Sequence, residues 1–363
     1  MRSRLNVLVT GATGLVGRGV VTSLLRRSDA SISVLVRDVG RWQRLASALG
    51  VSASRVAPIH GDITSPALGI DPRLSRRLLA RLTTVIHCAA DVVFSRSLDE
   101  ARRVNVEGTR NVLELASSFP HARVVLVSTA FAVGRRTGHI ADDDRATDAG
   151  WVNAYEQSKH EAEELVRASG LEYAIARPST IVCDDVRGAV SQVNAVHRAL
   201  RLYHAGLASM MPGTEDTPVD VVPAHWVSES VAALALASVS GTTVHLCAGE
   251  RALLLGALLD RTYAFWAREI AWRRRGIARP ALSDLQTYEL FEQSVHLVGD
   301  ARLQRITRSL SHFIPQLALP KRFDTRRATS MLHDEAPPVS AYWERMLGWL
   351  LSTNWSAALP EAA

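Results

Sequence analysis

An apolar run, Leu5–Val9, leads directly into Thr10-Gly11-Ala12-Thr13-Gly14-Leu15-Val16-Gly17, and a helical pattern starts inside that loop, over Gly14–Arg26. A strand, a glycine-rich turn and a helix in this order leave few folds open. Gly11 permits the tight turn, Gly14 lets the backbone come close to a pyrophosphate, and Gly17 allows the helix to pack closely on the strand. The positive end of that helix then faces the phosphates. The loop therefore predicts a dinucleotide site formed by Thr10, Gly11, Thr13, Gly14, Leu15, Val16, Gly17 and the adjoining Arg18.

The rest of the first half repeats the alternation. Ser33–Val36, Val56–Ile59, Thr84–Cys88, Arg123–Ser128 and Glu172–Ala176 read as strands, with helices over Val104–Ser117 and Ala154–Ala168. Continuous Val/Ile/Leu runs separated by helices predict a parallel sheet covered on both faces. The expected class is α/β, a Rossmann-type doubly wound parallel sheet with a smaller, mainly helical C-terminal substrate region. Residues 1–182 are expected to form the nucleotide-binding domain, continued by 215–248. Residues 183–214 and 249–363 are expected to form the substrate region, with Met210, Met211 and Trp-rich helices as candidate walls of an apolar tunnel.

Composition narrows the class. Of 363 residues, 47% are hydrophobic and 21% charged, as in a soluble globular chain. The net charge of +6 comes without the basic, aromatic-interleaved blocks of nucleic-acid binders. Cys88, Cys183 and Cys247 lie far apart and form no metal-like pattern, so free thiols in a reducing compartment are expected. No apolar stretch reaches the roughly 18 residues that span a membrane, and the five-residue run at the start is too short for a signal peptide. A cytoplasmic location follows as the expectation. Phe265–Arg275 has the Trp and Arg content of an interfacial helix, with a packed surface helix as the plainer reading.

The end of the second strand chooses the cofactor. Arg37 stands where an acidic residue would bind ribose hydroxyls, and its guanidinium suits a 2′-phosphate. NADP(H) is expected; Asp38 keeps NAD open. Asp62 and Ile63 end the third strand, beside the expected adenine, with a turn role for Asp62 as the alternative.

Tyr155 and Lys159 form a YxxxK element, and a spacing of four puts both on one helix face. A neighbouring ammonium is expected to lower the phenol's pKa. Lys159, one of only two lysines, is also placed to bond the nicotinamide ribose. Thr129 lies 26 residues before Tyr155 at the end of a strand, where it would donate to a developing oxyanion; Ser128 is the competing residue.

These elements together resemble the extended short-chain dehydrogenase/reductases over residues 5 to about 250. The resemblance implies a catalytic set of Thr129, Tyr155 and Lys159. It places Ala89 and Ala90 along the cofactor, and Arg177, Pro178, Ser179 and Thr180 beside the nicotinamide amide. Members often dimerise through helices like Val104–Ser117 and Ala154–Ala168. A narrower resemblance rests on His87-Cys88-Ala89-Ala90-Asp91-Val92-Val93-Phe94, on Asn105-Val106-Glu107-Gly108-Thr109, and on Val219–Val227 with His225 where an acidic residue is usual. These are similar to the fatty acyl-CoA reductase and thioester reductase branch, the male-sterility type of NAD-binding domain. That branch implies NADPH-dependent reduction of acyl-CoA or acyl-carrier-protein thioesters to aldehyde or alcohol. The alternatives are a hydroxysteroid or ketone dehydrogenase, a nucleotide-sugar epimerase, or a non-catalytic NADP-sensing regulator.

Overall fold

The computed structural model describes residues 5–52, 54–71, 73, 81–145, 149–237, 239–299, 304 and 313–356. Seven strands form the central sheet: β1 (Asn6–Thr10), β2 (Ser31–Val36), β3 (Val56–His60), β4 (Thr84–His87), β5 (Arg123–Val127), β6 (Glu172–Pro178) and β7 (Thr242–Leu246). Their order is β7-β6-β5-β4-β1-β2-β3, with every neighbouring pair parallel. The winding reverses between β1 and β4, so a crevice for ligand opens at their carboxyl ends.

Side-chain alternation explains the unbroken apolar runs. Val7 and Val9 of β1 enter one core with Val20, Val21 and Leu24 of α1 (Leu15–Arg27). Leu8 enters the other, with Val112, Leu113 and Ala116 of a helix on the opposite face. Both faces are covered, so both must be apolar. Each fully buried Val or Leu here contributes about 2 kcal/mol of transfer free energy.

The covering helices are α1, α2 (Val39–Ala48), α3 (Leu98–Asn105), α4 (Glu107–Ser117) and α5 (Ala154–Ala168). The helix predicted over Val104–Ser117 is thus two helices meeting at Val106. The chain continues through α6 (Ala195–Ala205), α7 (Ala224–Leu236), α8 (Leu255–Trp266), α9 (Leu285–Val298), α10 (Arg326–Leu332) and α11 (Trp343–Ser352). α7 packs beside α1, where a Cβ at Gly19 would collide with the Ser228 hydroxyl oxygen.

A separate core joins α6, α8 and α11 through Leu200, Tyr203, Leu258, Trp266, Trp343 and Leu347. Met211, Trp266 and Trp343 are buried in that core, so they pack it and do not line an open tunnel. Trp272 is buried on the single turn Ile270–Arg273, while Arg273, Arg274 and Arg275 face solvent. Phe265–Arg275 is the end of α8, a turn and one packed helical turn at the surface. The C-terminal region also returns to the sheet domain. Lys321–Phe323 pairs in parallel with Gly138–Ile140, and Ala328 of α10 enters the α1/α7 core.

Candidate active site

The glycine loop is built as its residue types require. Gly11 has φ +69°, and a Cβ there would sit 2.6 Å from the Ala89 nitrogen. A Cβ at Gly17 would collide with the Gly11 carbonyl oxygen, which fixes how closely α1 lies on β1. Gly14 is exposed and caps α1 without a side-chain hydrogen bond, and no acidic residue follows in the first turn. Open amides at a helix N-terminus are a site for phosphate. The cradle therefore fits a dinucleotide, with Thr13, Leu15 and Val16 around it.

Two residues assigned to this site from sequence are engaged elsewhere. Thr10 is fully buried, and its hydroxyl accepts from the Ala89 amide at 3.2 Å and bonds His87 Nδ1 at 2.7 Å. Arg18 turns its guanidinium to Asp184, 3.4 Å away, and to the Ser191 hydroxyl. Its carboxylate partner lies across the cleft on the segment after β6, a contact that local sequence does not encode. Ala89 is packed against Gly11, with Ala90 half-buried beside it.

At the adenine end, Asp62 is a turn residue. Its Oδ1 accepts from the Thr64 amide and hydroxyl, both at 2.9 Å. Ile63 is buried against Gly108, and its carbonyl accepts from Asn111. At the end of β2, Asp38 caps α2 by accepting from the Arg41 amide at 2.8 Å. Arg37 beside it is exposed, with no side-chain partner among the described residues.

The catalytic candidates meet at the carboxyl edge of β5. Thr129 follows that strand by two residues and opens a short 3-10 turn, Ala130–Val133. Its hydroxyl is turned toward the Tyr155 phenol and favours the ionised form of that phenol. Tyr155 and Lys159 both sit on α5, and Asn153 caps that helix by accepting from the Glu156 amide at 3.0 Å. Lys159 is buried, and its ammonium donates to the Val127 carbonyl at 2.8 Å. The two neighbouring hydroxyls face different partners: Thr129 faces Tyr155, and Ser128 lies on the Glu163 side.

The electrostatics differ from the sequence expectation. Burial pushes the Tyr155 phenol above its ordinary value, and the nearby Thr129 hydroxyl only partly offsets this. Lys159 does not acidify it: the ammonium points at a backbone carbonyl, and burial lowers its own pKa to about 8. The phenol is therefore held protonated at neutral pH. Burial also pushes all three cysteine thiols up, which leaves none as a ready nucleophile.

Arg177 is engaged in a buried ion pair. Its Nε and Nη2 donate to Glu163 at 2.9 and 2.7 Å, and Nη1 donates to the Asp144 carbonyl. Burial alone would raise the Glu163 carboxyl; the Arg177 charge overrides it and holds the group at about 2. Pro178 and Ser179 are buried at the end of β6, with Thr180 half-buried after them.

Three supporting residues were not singled out from sequence. Asn105 accepts from the Asp91 amide at 2.8 Å and donates to the Asp91 carbonyl at 3.0 Å and the Ser158 hydroxyl at 2.9 Å. It pins the loop after β4 to α5. His87 joins Thr10 to Thr109, its Nε2 lying 3.2 Å from the Thr109 hydroxyl. Thr109 in turn donates to the Asn105 carbonyl at 2.6 Å. Burial, then the Lys159 charge, lowers His87 to about 3, so it is a neutral strut. Each strut falls on a stretch noted for its family resemblance, but the partners lie far apart along the chain, Asn105 and Ser158 by 53 residues. Among the described residues no cluster of His, Cys, Asp and Glu could hold a metal ion, and no helix is long and apolar enough to cross a membrane.

Residues 9–231 match the male sterility protein family of NAD-binding domains. The chain belongs to that family. It is 27% identical to fatty acyl-CoA reductase 1 of Xenopus laevis, covering 63% of this chain and 54% of that protein. It is 29% identical to an isonitrile lipopeptide synthase of Mycobacterium tuberculosis, over 66% of this chain and 11% of that one. The chain thus spans about half the length of the fatty acyl-CoA reductases it matches. Its fold is similar to that of the terminal R domain of the myxalamid PKS-NRPS pathway, with a TM-score of 0.79 and 24% identity over 99% of this chain and 93% of that one. It is also similar to the R domain of a nonribosomal peptide synthetase from Mycobacterium tuberculosis, with a TM-score of 0.67 and 23% identity over 98% and 93% of the two chains. The fold is thus the Rossmann-type α/β fold of these R domains, and the cofactor class is a nicotinamide dinucleotide.

Proposed function

We propose that this chain reduces acyl thioesters, carried on coenzyme A or on an acyl-carrier protein, with NADPH as reductant. The observation that carries this reading is the convergence of the Thr129 hydroxyl and a protonated Tyr155 phenol at the sheet's carboxyl edge, in a member of this family. The relatives named as fatty acyl-CoA reductases support the substrate class.

NADP(H) is favoured by Arg37, whose guanidinium is exposed while the Asp38 carboxylate caps α2. Gly11, Gly14 and the N-terminus of α1 would hold the pyrophosphate, and Lys159 the nicotinamide ribose. The bound dinucleotide supplies the hydride. Thr129 and Tyr155 donate to the carbonyl oxygen of the thioester as negative charge develops there. Tyr155 then gives its proton to that oxygen, which leaves a hemithioacetal. Collapse of the hemithioacetal breaks the carbon–sulfur bond and releases thiol and aldehyde. A second reduction of the aldehyde would give the alcohol. Burial suits this direction, because a raised phenol pKa keeps the proton on Tyr155 until the oxyanion forms.

The test is NADPH consumption with acyl-CoA and, separately, with ketones. Turnover of acyl-CoA with release of free thiol supports the reading. Turnover of ketones alone assigns the site to a dehydrogenase instead.

A further inference from the structure

Phe94 packs on the Tyr155 ring, with centroids 5.4 Å apart and planes at 43°. Phe313, from the C-terminal region, lies parallel to Phe94 at 6.5 Å and 6°. Val92 and Val93, directly before Phe94, are 51% and 44% exposed. Phe94 thus links the Tyr155 ring to Phe313, with two exposed valines directly before it in the chain.

Phe313 is held there by its neighbours. Ile314 is buried in a cluster with Tyr288. The Gln316 amide donates to the carboxylate of Glu156, the residue after Tyr155. Gln316 Oε1 accepts from Lys321 Nζ at 3.0 Å. Lys321, the second of the chain's two lysines, is buried and sits on the strand paired with Gly138–Ile140. A polar chain of Lys321, Gln316 and Glu156 thus locks the C-terminal segment onto the catalytic helix.

We propose that Phe94 and Phe313 form the wall along which the acyl chain of the thioester lies beside Tyr155, that this wall selects long aliphatic acyl groups, and that Gln316 is the positioning residue that sets Phe313 against it. The proposal rests on the thioester reading above. Each methylene laid fully against such a wall favours binding roughly fourfold. Selection is therefore by chain length, and a short acyl group gains little.

The test compares decanoyl and acetyl thioesters of N-acetylcysteamine with NADPH, using the wild type, Phe313→Ala, Phe313→Leu, Gln316→Leu and the double variant Gln316→Leu/Phe313→Ala. The ratio of kcat/KM for decanoyl over acetyl is expected to fall about tenfold in Phe313→Ala, through KM for the decanoyl substrate. Phe313→Leu, which keeps the volume filled, is expected to fall less. Gln316→Leu is expected to lower the same ratio, and the double variant to lower it no further, because one residue acts through the other. A ratio unmoved in Phe313→Ala overturns the wall, and an additive double variant overturns the role of Gln316. Calorimetric binding of the decanoyl thioester without NADPH separates this proposal from the reaction itself. A wild type that reduces neither thioester sinks the thioester reading, while decanoyl binding lost in Phe313→Ala still supports the wall. Equal binding by both proteins removes it.

Discussion

The Lys159 ammonium donates to the Val127 carbonyl at 2.8 Å, which ties the catalytic helix to the end of the strand that carries Thr129. The bond places a charge in a dry site, and burial lowers its pKa from 10.5 to about 8. The unfolded chain regains the ordinary value. Between pH 8 and 10.5 it therefore holds a proton that the native state does not, and stability from this group rises with pH across that window. In Lys159→Met, the urea midpoint should climb less over that range than in the wild type, and turnover should fall at least about a hundredfold. Parallel climbs in the two proteins would show that the native ammonium keeps its ordinary pKa.

In the proposed reaction, Tyr155 and Thr129 carry separable parts of the chemistry. Tyr155→Phe removes the proton donor but keeps the ring against Phe94, so turnover should be lost while dinucleotide binding, followed by cofactor fluorescence, stays close to wild type. Thr129→Val removes one donor to the developing oxyanion and should lower kcat by about 10²–10³-fold. Thr129→Ser, which restores the hydroxyl, should recover most of the loss. Equal rates for the Val and Ser variants would rule out hydrogen bonding by Thr129.

What could be read from the sequence was local. The glycine loop, the YxxxK face and the hydroxyl at the end of β5 each lie within a few residues, where spacing fixes geometry. The parallel sheet was legible because burial on both faces leaves unbroken apolar runs. The charge environment of Tyr155 was not, because the direction of the Lys159 side chain depends on a carbonyl 32 residues away. The engagement of Arg18 with Asp184 spans 166 residues and follows no period. The bond between Gln316 and Glu156, 160 residues apart, is equally silent in sequence.

Asn105 offers a test of support without chemistry. Asn105→Ala deletes the bonds to both backbone groups of Asp91 and to Ser158. Chemical denaturation should show a loss of about 1–2 kcal/mol, since a half-buried backbone amide is left without its partner. The loop after β4 also borders Gly11, so KM for the dinucleotide should rise. A stable variant with unchanged KM would mean that water replaces the side chain.

The Arg177–Glu163 pair should behave as a buried ion pair whose halves cannot be removed singly. Arg177→Met leaves the Glu163 carboxylate dry, with Arg167 beside it at 3.0 Å as its remaining ion-pair partner. The expected loss is about 3–5 kcal/mol in the free energy of unfolding. Glu163→Leu/Arg177→Met should be more stable than Arg177→Met, because no buried charge remains unmatched. A single variant as stable as the wild type would mean that the site is wetter than its burial indicates.

On the NADPH reading proposed above, Arg37 would decide between two dinucleotides by charge. A 2′-phosphate would bring about two negative charges to the end of β2, and the exposed guanidinium there would form paired, charge-assisted bonds with it. NADH lacks that group and gains little from Arg37. Asp38 does not compensate, because its carboxylate accepts from the Arg41 amide at the start of α2. Arg37→Ala should therefore raise KM for NADPH about 10–100-fold and change KM for NADH little. The preference should also weaken in the wild type as salt is added, since the contact is exposed and screened. If NADPH and NADH lose affinity equally in Arg37→Ala, the phosphate is bound elsewhere, and Arg41 on the first turn of α2 becomes the residue to replace.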